Sequence, residues 1–124
     1  YEREIIFLVA PTTTEKRLQK IKSLSMGFIY LVSVLGVTGA RQSLENITLE
    51  TLTNVKQVIG DKIPVSVGFG ISKPNHVKEV INAGADGVIV GSAIVDLLLR
   101  DTDEKTKLED ISKYITLMKT ATRK

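Results

Sequence analysis

A parallel α/β fold made of four successive strand-helix units is what this sequence predicts, and three observations predict it. First, short apolar runs rich in branched residues alternate with longer stretches at helical spacing, as where residues 5–10 are followed by Leu18, Ile21 and Leu24. A continuous apolar run marks a strand buried on both faces, the usual state within a parallel sheet. Second, residues 65–95 read VSVGFGISKPNHVKEVINAGADGVIVGSAIV, a strand ending in Gly-Phe-Gly, then a helix, then a strand ending in Gly-Ser. Third, the strand-glycine-helix unit recurs over residues 1–124 with no linker, low-complexity tract or domain boundary, as expected of one α/β domain.

In chain order, residues 5–10 form the first strand, which Pro11 ends. Thr12 with Glu15 three residues later makes a capping-box pattern for the first helix. Residues 28–32 form the second strand. The segment 34–49, which contains Gly36, Thr38, Gly39 and Arg41, shows no clear periodicity and reads as a long loop, a kind that often carries function. Leu52, Val55 and Ile59 then line a helix closed by Gly60, and Ile63-Pro64 leads into a third strand at 65–67. Ser72 is placed to cap the next helix, with Pro74 in its first turn, Val77, Val80 and Ile81 inward, and Gly84 just past its end. Asp86-Gly87 turns into the fourth strand at 88–90, and a helix follows at 92–99. Leu108, Ile111, Ile115 and Met118 recur at helical spacing and predict an amphipathic last helix.

Composition narrows the function classes. The 124 residues are enough for one core but about half the roughly 250 of a complete eight-stranded β/α barrel. Hydrophobic content of 43% and charged content of 25% are those of an ordinary soluble domain, and no apolar run approaches the roughly 18 residues of a membrane span. With no Cys and a single His, His76, the chain by itself offers neither disulfides, a thiol-ligated metal nor a His-rich metal site, and the cytoplasm is the expected location. A net charge of +3 favours anions, yet the Lys and Arg are scattered rather than clustered with aromatics. That pattern suits a small phosphorylated ligand better than DNA or RNA. The opening YEREIIFLVA runs straight into a strand with neither a signal-peptide pattern nor a start methionine, as a truncated chain would read.

The chemistry sits where strands end in glycine. At such a junction the backbone N–H groups of the following helix point outward with no side chain in the way, which suits a phosphate. Two such junctions on neighbouring parallel strands describe the phosphate pocket of a β/α barrel after its last two strands, and they make Gly70 and Gly91 ligand candidates. Ser92 can act both as helix cap and as phosphate donor, whereas Gly84 and Gly87 serve helix termination and a tight turn. His76 reads as a surface residue. Asp86 precedes its strand and so belongs to the stability end, opposite the chemistry.

Four stretches carry a family likeness: IFLVAPTTTEKRL at 6–18, GFIYLVSVLGVTGAR at 27–41, PVSVGFGISKPNHV at 64–77 and AGADGVIVGSAIV at 83–95. In order and spacing they resemble the fifth to eighth strands, with their loops, of the tryptophan synthase alpha subunit, a β/α-barrel lyase. The resemblance implies the C-terminal half of a TIM-type (β/α)8 barrel. It also implies retro-aldol cleavage of indole-3-glycerol phosphate to indole and glyceraldehyde 3-phosphate, with indole passed to a beta subunit that carries pyridoxal phosphate; the alpha-type chain itself needs no cofactor. By the same likeness Gly39, Gly70, Gly91 and Ser92 donate to the substrate phosphate, and Tyr30 points toward the indole and the catalytic carboxylate. Thr38 sits on the loop that closes over the substrate, and Phe69 and Ile89 wall the pocket.

The two catalytic carboxylates of that family lie on its second and third strands, a region without counterpart here. Expected partners are therefore an N-terminal half-barrel or a second copy of the chain, because a four-stranded half-barrel has two open edges, and a beta subunit. The alternative function is a non-catalytic phosphate-binding half-barrel that self-associates. Another phosphate-binding barrel, such as a histidine- or thiamine-pathway synthase, stands third, against the pairing of YLVS with GVTGAR.

Overall fold

The computed structural model describes residues 2–32, 41–68 and 70–123, and for 41–45 the backbone alone. Four strands, β1 (Phe7–Val9), β2 (Ile29–Val32), β3 (Val65–Gly68) and β4 (Gly87–Ile89), lie side by side in chain order and all run parallel. Among the described residues five helices accompany them: α1 (Glu15–Leu24), α2 (Arg41–Ile59), α3 (Pro74–Asn82), α4 (Ser92–Leu98) and α5 (Glu104–Ala121). These are the four β-α units of a partial TIM-type barrel. With sequential strand order, right-handed crossovers bring the helices onto one side of the sheet.

The pleat then sorts the strand residues. Val9, Ile29, Leu31, Val65 and Val67 turn toward the helices and are essentially inaccessible, packed with Leu18 and Ile21 of α1, Leu52, Val55 and Ile59 of α2, and Val77 and Val80 of α3. Each such side chain contributes about 1.5–3 kcal/mol by leaving water. The other face carries Leu8, Tyr30, Ser66 and Gly87 in one row and Val32, Gly68 and Ile89 in the next. This face is the inner wall of the half-barrel, and Leu8 on it is 64% exposed, so the first strand, expected over 5–10 and buried on both faces, is only Phe7–Val9 and is covered on its helix side alone.

Several sequence expectations shift. The cap of α1 is Thr14, whose hydroxyl accepts from the Arg17 N–H at 3.3 Å, not Thr12. A tight turn uses the residues before it: Thr13 N–H donates to the Ala10 carbonyl at 2.9 Å and its hydroxyl accepts from the Ala10 N–H at 3.0 Å. The presumed loop through residue 49 is helix from Arg41 onward. Its inward stripe of Leu52, Val55 and Ile59 begins one turn earlier, at buried Thr48, and a polar residue in a core position hides the period. On α5, Met118 is buried as expected, but Leu108 and Ile115 are 62% and 48% exposed. Ile115 borders the outer edge of β4, where no strand among the described residues covers it.

Both outer strands leave a groove beside them. Next to β1 it measures about 470 Å³ and is lined by Phe7, Leu8, Arg17, Ile21 and Leu24. Next to β4 it measures about 610 Å³ and is lined by Val88, Val90, Ile94, Ile115 and Met118. At the amino end of the sheet, Asp86 ties the last two strands together. Its Oδ2 accepts from the Val65 N–H at 2.8 Å and from Lys56 Nζ at 2.9 Å, and the Asp86 N–H donates to the Val65 carbonyl at 2.9 Å. Asp86 therefore belongs to the stability end, as its place before the strand implied.

Candidate functional site

The carboxyl ends of β3 and β4 bring two glycines together. Gly68 and Ile89 are register partners, and two residues beyond each stand Gly70 and Gly91. Neighbouring strands run roughly 4.8 Å apart, so both glycines lie at one corner of the sheet. Gly70 is exposed and holds φ +73°, a left-handed conformation that β-carbons resist. Gly91 is exposed at the N-cap of α4, and a β-carbon added to it would meet nothing within 4 Å. Among the described residues that space is open.

Helix capping at these two junctions differs from that at the starts of α1 and α5. α1 and α5 are capped by side chains, Thr14 and Asp103, each accepting from a backbone N–H of the first turn. α3 and α4, which start beyond β3 and β4, have no side-chain cap. The first N–H groups of a helix have no partner within it and carry the positive end of its dipole. The cap position of α3 is exposed Lys73 rather than Ser72, and Pro74 in its first turn has no N–H to satisfy. Ser92, expected as a helix cap, is instead the first residue of α4, whose cap position is Gly91, and it is exposed.

Tyr30 is half-buried on the inner face, in the row of Ser66, and its ring reaches to the next row. A β-carbon on Gly68 would collide with the Tyr30 hydroxyl and stand 2.6 Å from Cζ. Gly68 is thus a glycine because a tyrosine ring crosses it, a role the sequence reading missed by attending only to the second glycine of Gly-Phe-Gly. Ile89 pairs with Gly68 on the same face, one strand over, and is half-buried. Tyr30, Gly70, Ile89, Gly91 and Ser92 therefore gather on the inner face and carboxyl rim. Thr38, Gly39 and Phe69 lie outside the described residues.

Ser72, expected as the cap of α3, is engaged through its backbone instead. Its N–H donates to His76 Nδ1 at 3.3 Å, and its carbonyl accepts from the Tyr114 hydroxyl at 2.9 Å. Partial burial raises the Tyr114 phenol above the ordinary tyrosine range, which keeps it a donor. His76, expected at the surface, is half-buried and works within the fold. Among the described residues no group of His, Asp or Glu could hold a metal ion, and no helix is long and apolar enough to cross a membrane.

Residues 2–123 match the family model described as tryptophan synthase alpha chain. The chain belongs to that family. It is 54% identical over 98 residues to the tryptophan synthase alpha chain of Methanothermobacter thermautotrophicus, covering 79% of this chain and 36% of that relative. The alpha chain of Arabidopsis thaliana is 43% identical over 121 residues, 98% of this chain and 43% of its own length. A solved structure of the tryptophan synthase α2β2 complex from Pyrococcus furiosus superposes with a TM-score of 0.78 at 35% identity, over 94% of this chain and 46% of that one. The chain thus spans less than half the length of these tryptophan synthase alpha chains, and its four units correspond to part of their barrel.

Proposed function

We propose that this chain supplies the phosphate-binding half of an indole-3-glycerol phosphate lyase, folded as a single half-barrel unit over its 124 residues. The observation that carries the reading is the pairing of Gly70 and Gly91 at one corner of the sheet, each opening onto a helix without a side-chain cap. Backbone N–H groups at Gly70, Gly91 and Ser92, with the Ser92 hydroxyl, hold the phosphate dianion; a helix start on each side favours it electrostatically. Gly39 adds a donor from the loop after β2, where Thr38 belongs to the segment that closes and excludes water. Tyr30 borders the indole, with Ile89 and Phe69 as walls.

Retro-aldol cleavage needs a group that moves protons at the glycerol chain and the indole ring, and a carboxylate that stabilises positive charge on the indole nitrogen. Asp86 is not one of them, because it stands at the amino end of the sheet, engaged by Val65 and Lys56. The acids come from an N-terminal half-barrel, which closes the barrel along β1 and β4. A beta subunit then takes the indole, consistent with the α2β2 assembly of the Pyrococcus furiosus relative, and the enzyme acts in the cytoplasm.

The test is titration of the chain with glycerol 3-phosphate by calorimetry, beside Gly91→Asp. A β-carbon at Gly91 meets nothing within 4 Å among the described residues, so the variant should fold while its carboxylate repels the anion. Unchanged affinity removes Gly91 from the site. A second reading, a non-catalytic half-barrel that binds phosphate and self-associates, is favoured by the apolar grooves beside both outer strands.

A further inference from the structure

We infer that Tyr114 and His76 are positioning residues that clamp the loop after β3 through both backbone groups of Ser72, a role that rests on the reading of Gly70 as a phosphate donor. The geometry is particular. Ile71 is buried, 5% exposed, and anchors the loop to the core by its side chain. Ser72 is then held twice, its N–H by His76 Nδ1 and its carbonyl by the Tyr114 hydroxyl. Exposed, left-handed Gly70 directly precedes this pinned pair, which holds the chain on its carboxyl side.

The two clamping residues come from different elements. His76 is the third residue of α3, and from there it reaches back past the cap to the residue before it. A Glu or Gln at the same helix position does the equivalent in a capping box. An Nδ1 that accepts has its proton on Nε2, so the neutral imidazole makes this bond. Tyr114 lies 42 residues beyond Ser72, on α5 packed against α3, and carries the loop's register to the C-terminal helix. Neither α3 nor its Lys73 cap residue offers a side-chain cap of its own, so the Ser72 bonds do the fixing that a cap does elsewhere. A floppy loop would pay the ordering entropy when the anion binds, and a clamped one has already lost it.

The experiment uses the 124-residue chain and measures amide hydrogen exchange by NMR and binding of inorganic phosphate. Tyr114→Phe deletes one oxygen and keeps the ring. One net hydrogen bond corresponds to roughly a fivefold effect, so Tyr114→Phe and His76→Ala should each speed exchange at Ser72 by about that factor and weaken phosphate binding similarly. Exchange in α1 and α2 should stay unchanged, and His76→Gln should restore both readouts toward the parent. Unchanged Ser72 exchange in Tyr114→Phe and His76→Ala overturns the clamp, as does equal acceleration throughout the chain, which would mark a merely structural role. If the parent binds neither inorganic phosphate nor glycerol 3-phosphate, the phosphate reading and the positioning role fall together, while Ser72 exchange still reports whether the clamp exists.

Discussion

The Tyr30 hydroxyl occupies the place where a β-carbon on Gly68 would stand, one strand away across the inner face of the sheet. The pair couples the ring that borders the proposed indole position to the strand that leads to Gly70. A Gly68→Ala change must move that ring or the strand. Overpacking of this kind costs about 1–3 kcal/mol. Urea unfolding should show such a loss for Gly68→Ala, largely recovered when Tyr30→Ala is added; an equal loss in both backgrounds contradicts the contact.

Asp86 predicts the opposite separation of stability from binding. Asp86→Ala removes the acceptor of the Val65 N–H and the nearer of the two carboxylates that pair with Lys56. The carboxylate side chain is 42% exposed, so the expected loss lies near the low end for a bond to a charged group, about 1–2 kcal/mol. Glycerol 3-phosphate affinity, measured under conditions where the variant is folded, should not change.

Tyr114 sets an alkaline limit. Burial holds its phenol above the unfolded value, so the folded chain keeps this proton after the unfolded chain has lost it. Its contribution to stability is whole below the ordinary tyrosine range and fades as pH rises through it and beyond. Thermal unfolding followed from pH 8 to 11 should show a steeper alkaline decline in the parent than in Tyr114→Phe. Parallel curves would remove Tyr114 as the cause.

The open edges predict association. With Leu8 exposed beside β1 and Ile115 exposed beside β4, the 124-residue chain at micromolar concentration should sediment heavier than a monomer in the absence of an N-terminal half. Leu8→Lys combined with Ile115→Lys should shift it toward the monomer. A strictly monomeric parent with sharp cooperative unfolding contradicts this.

The alternation of apolar strands and helical stripes was legible because each strand faces the helices with branched residues such as Ile29, Leu31, Val65 and Val67, in runs too short for a helix. The start of α2 was not, because Thr48 takes a core position with a polar side chain. The strand-glycine junctions made Gly70 and Gly91 candidates and the family likeness added Tyr30 and Ile89; the inner face and carboxyl end of the sheet bring the four together. What no local pattern could show were contacts between distant segments: Tyr114 with Ser72, 42 residues apart, and Tyr30 lying over Gly68. The cap of α3 was misread for the same reason. Ser72 has the right residue type at the right place, but its backbone is engaged by His76 and Tyr114 while Lys73 takes the cap position.

The central claim, that this chain is the phosphate-binding half of an alpha-type lyase, is tested most directly by indole release from indole-3-glycerol phosphate. The chain is assayed alone and then with an N-terminal half-barrel from the Methanothermobacter thermautotrophicus relative. The account predicts no release from the chain alone and release on addition of the other half, abolished by Gly91→Asp. Release by the chain alone, or silence in the reconstituted mixture once the two halves are seen to associate, contradicts it.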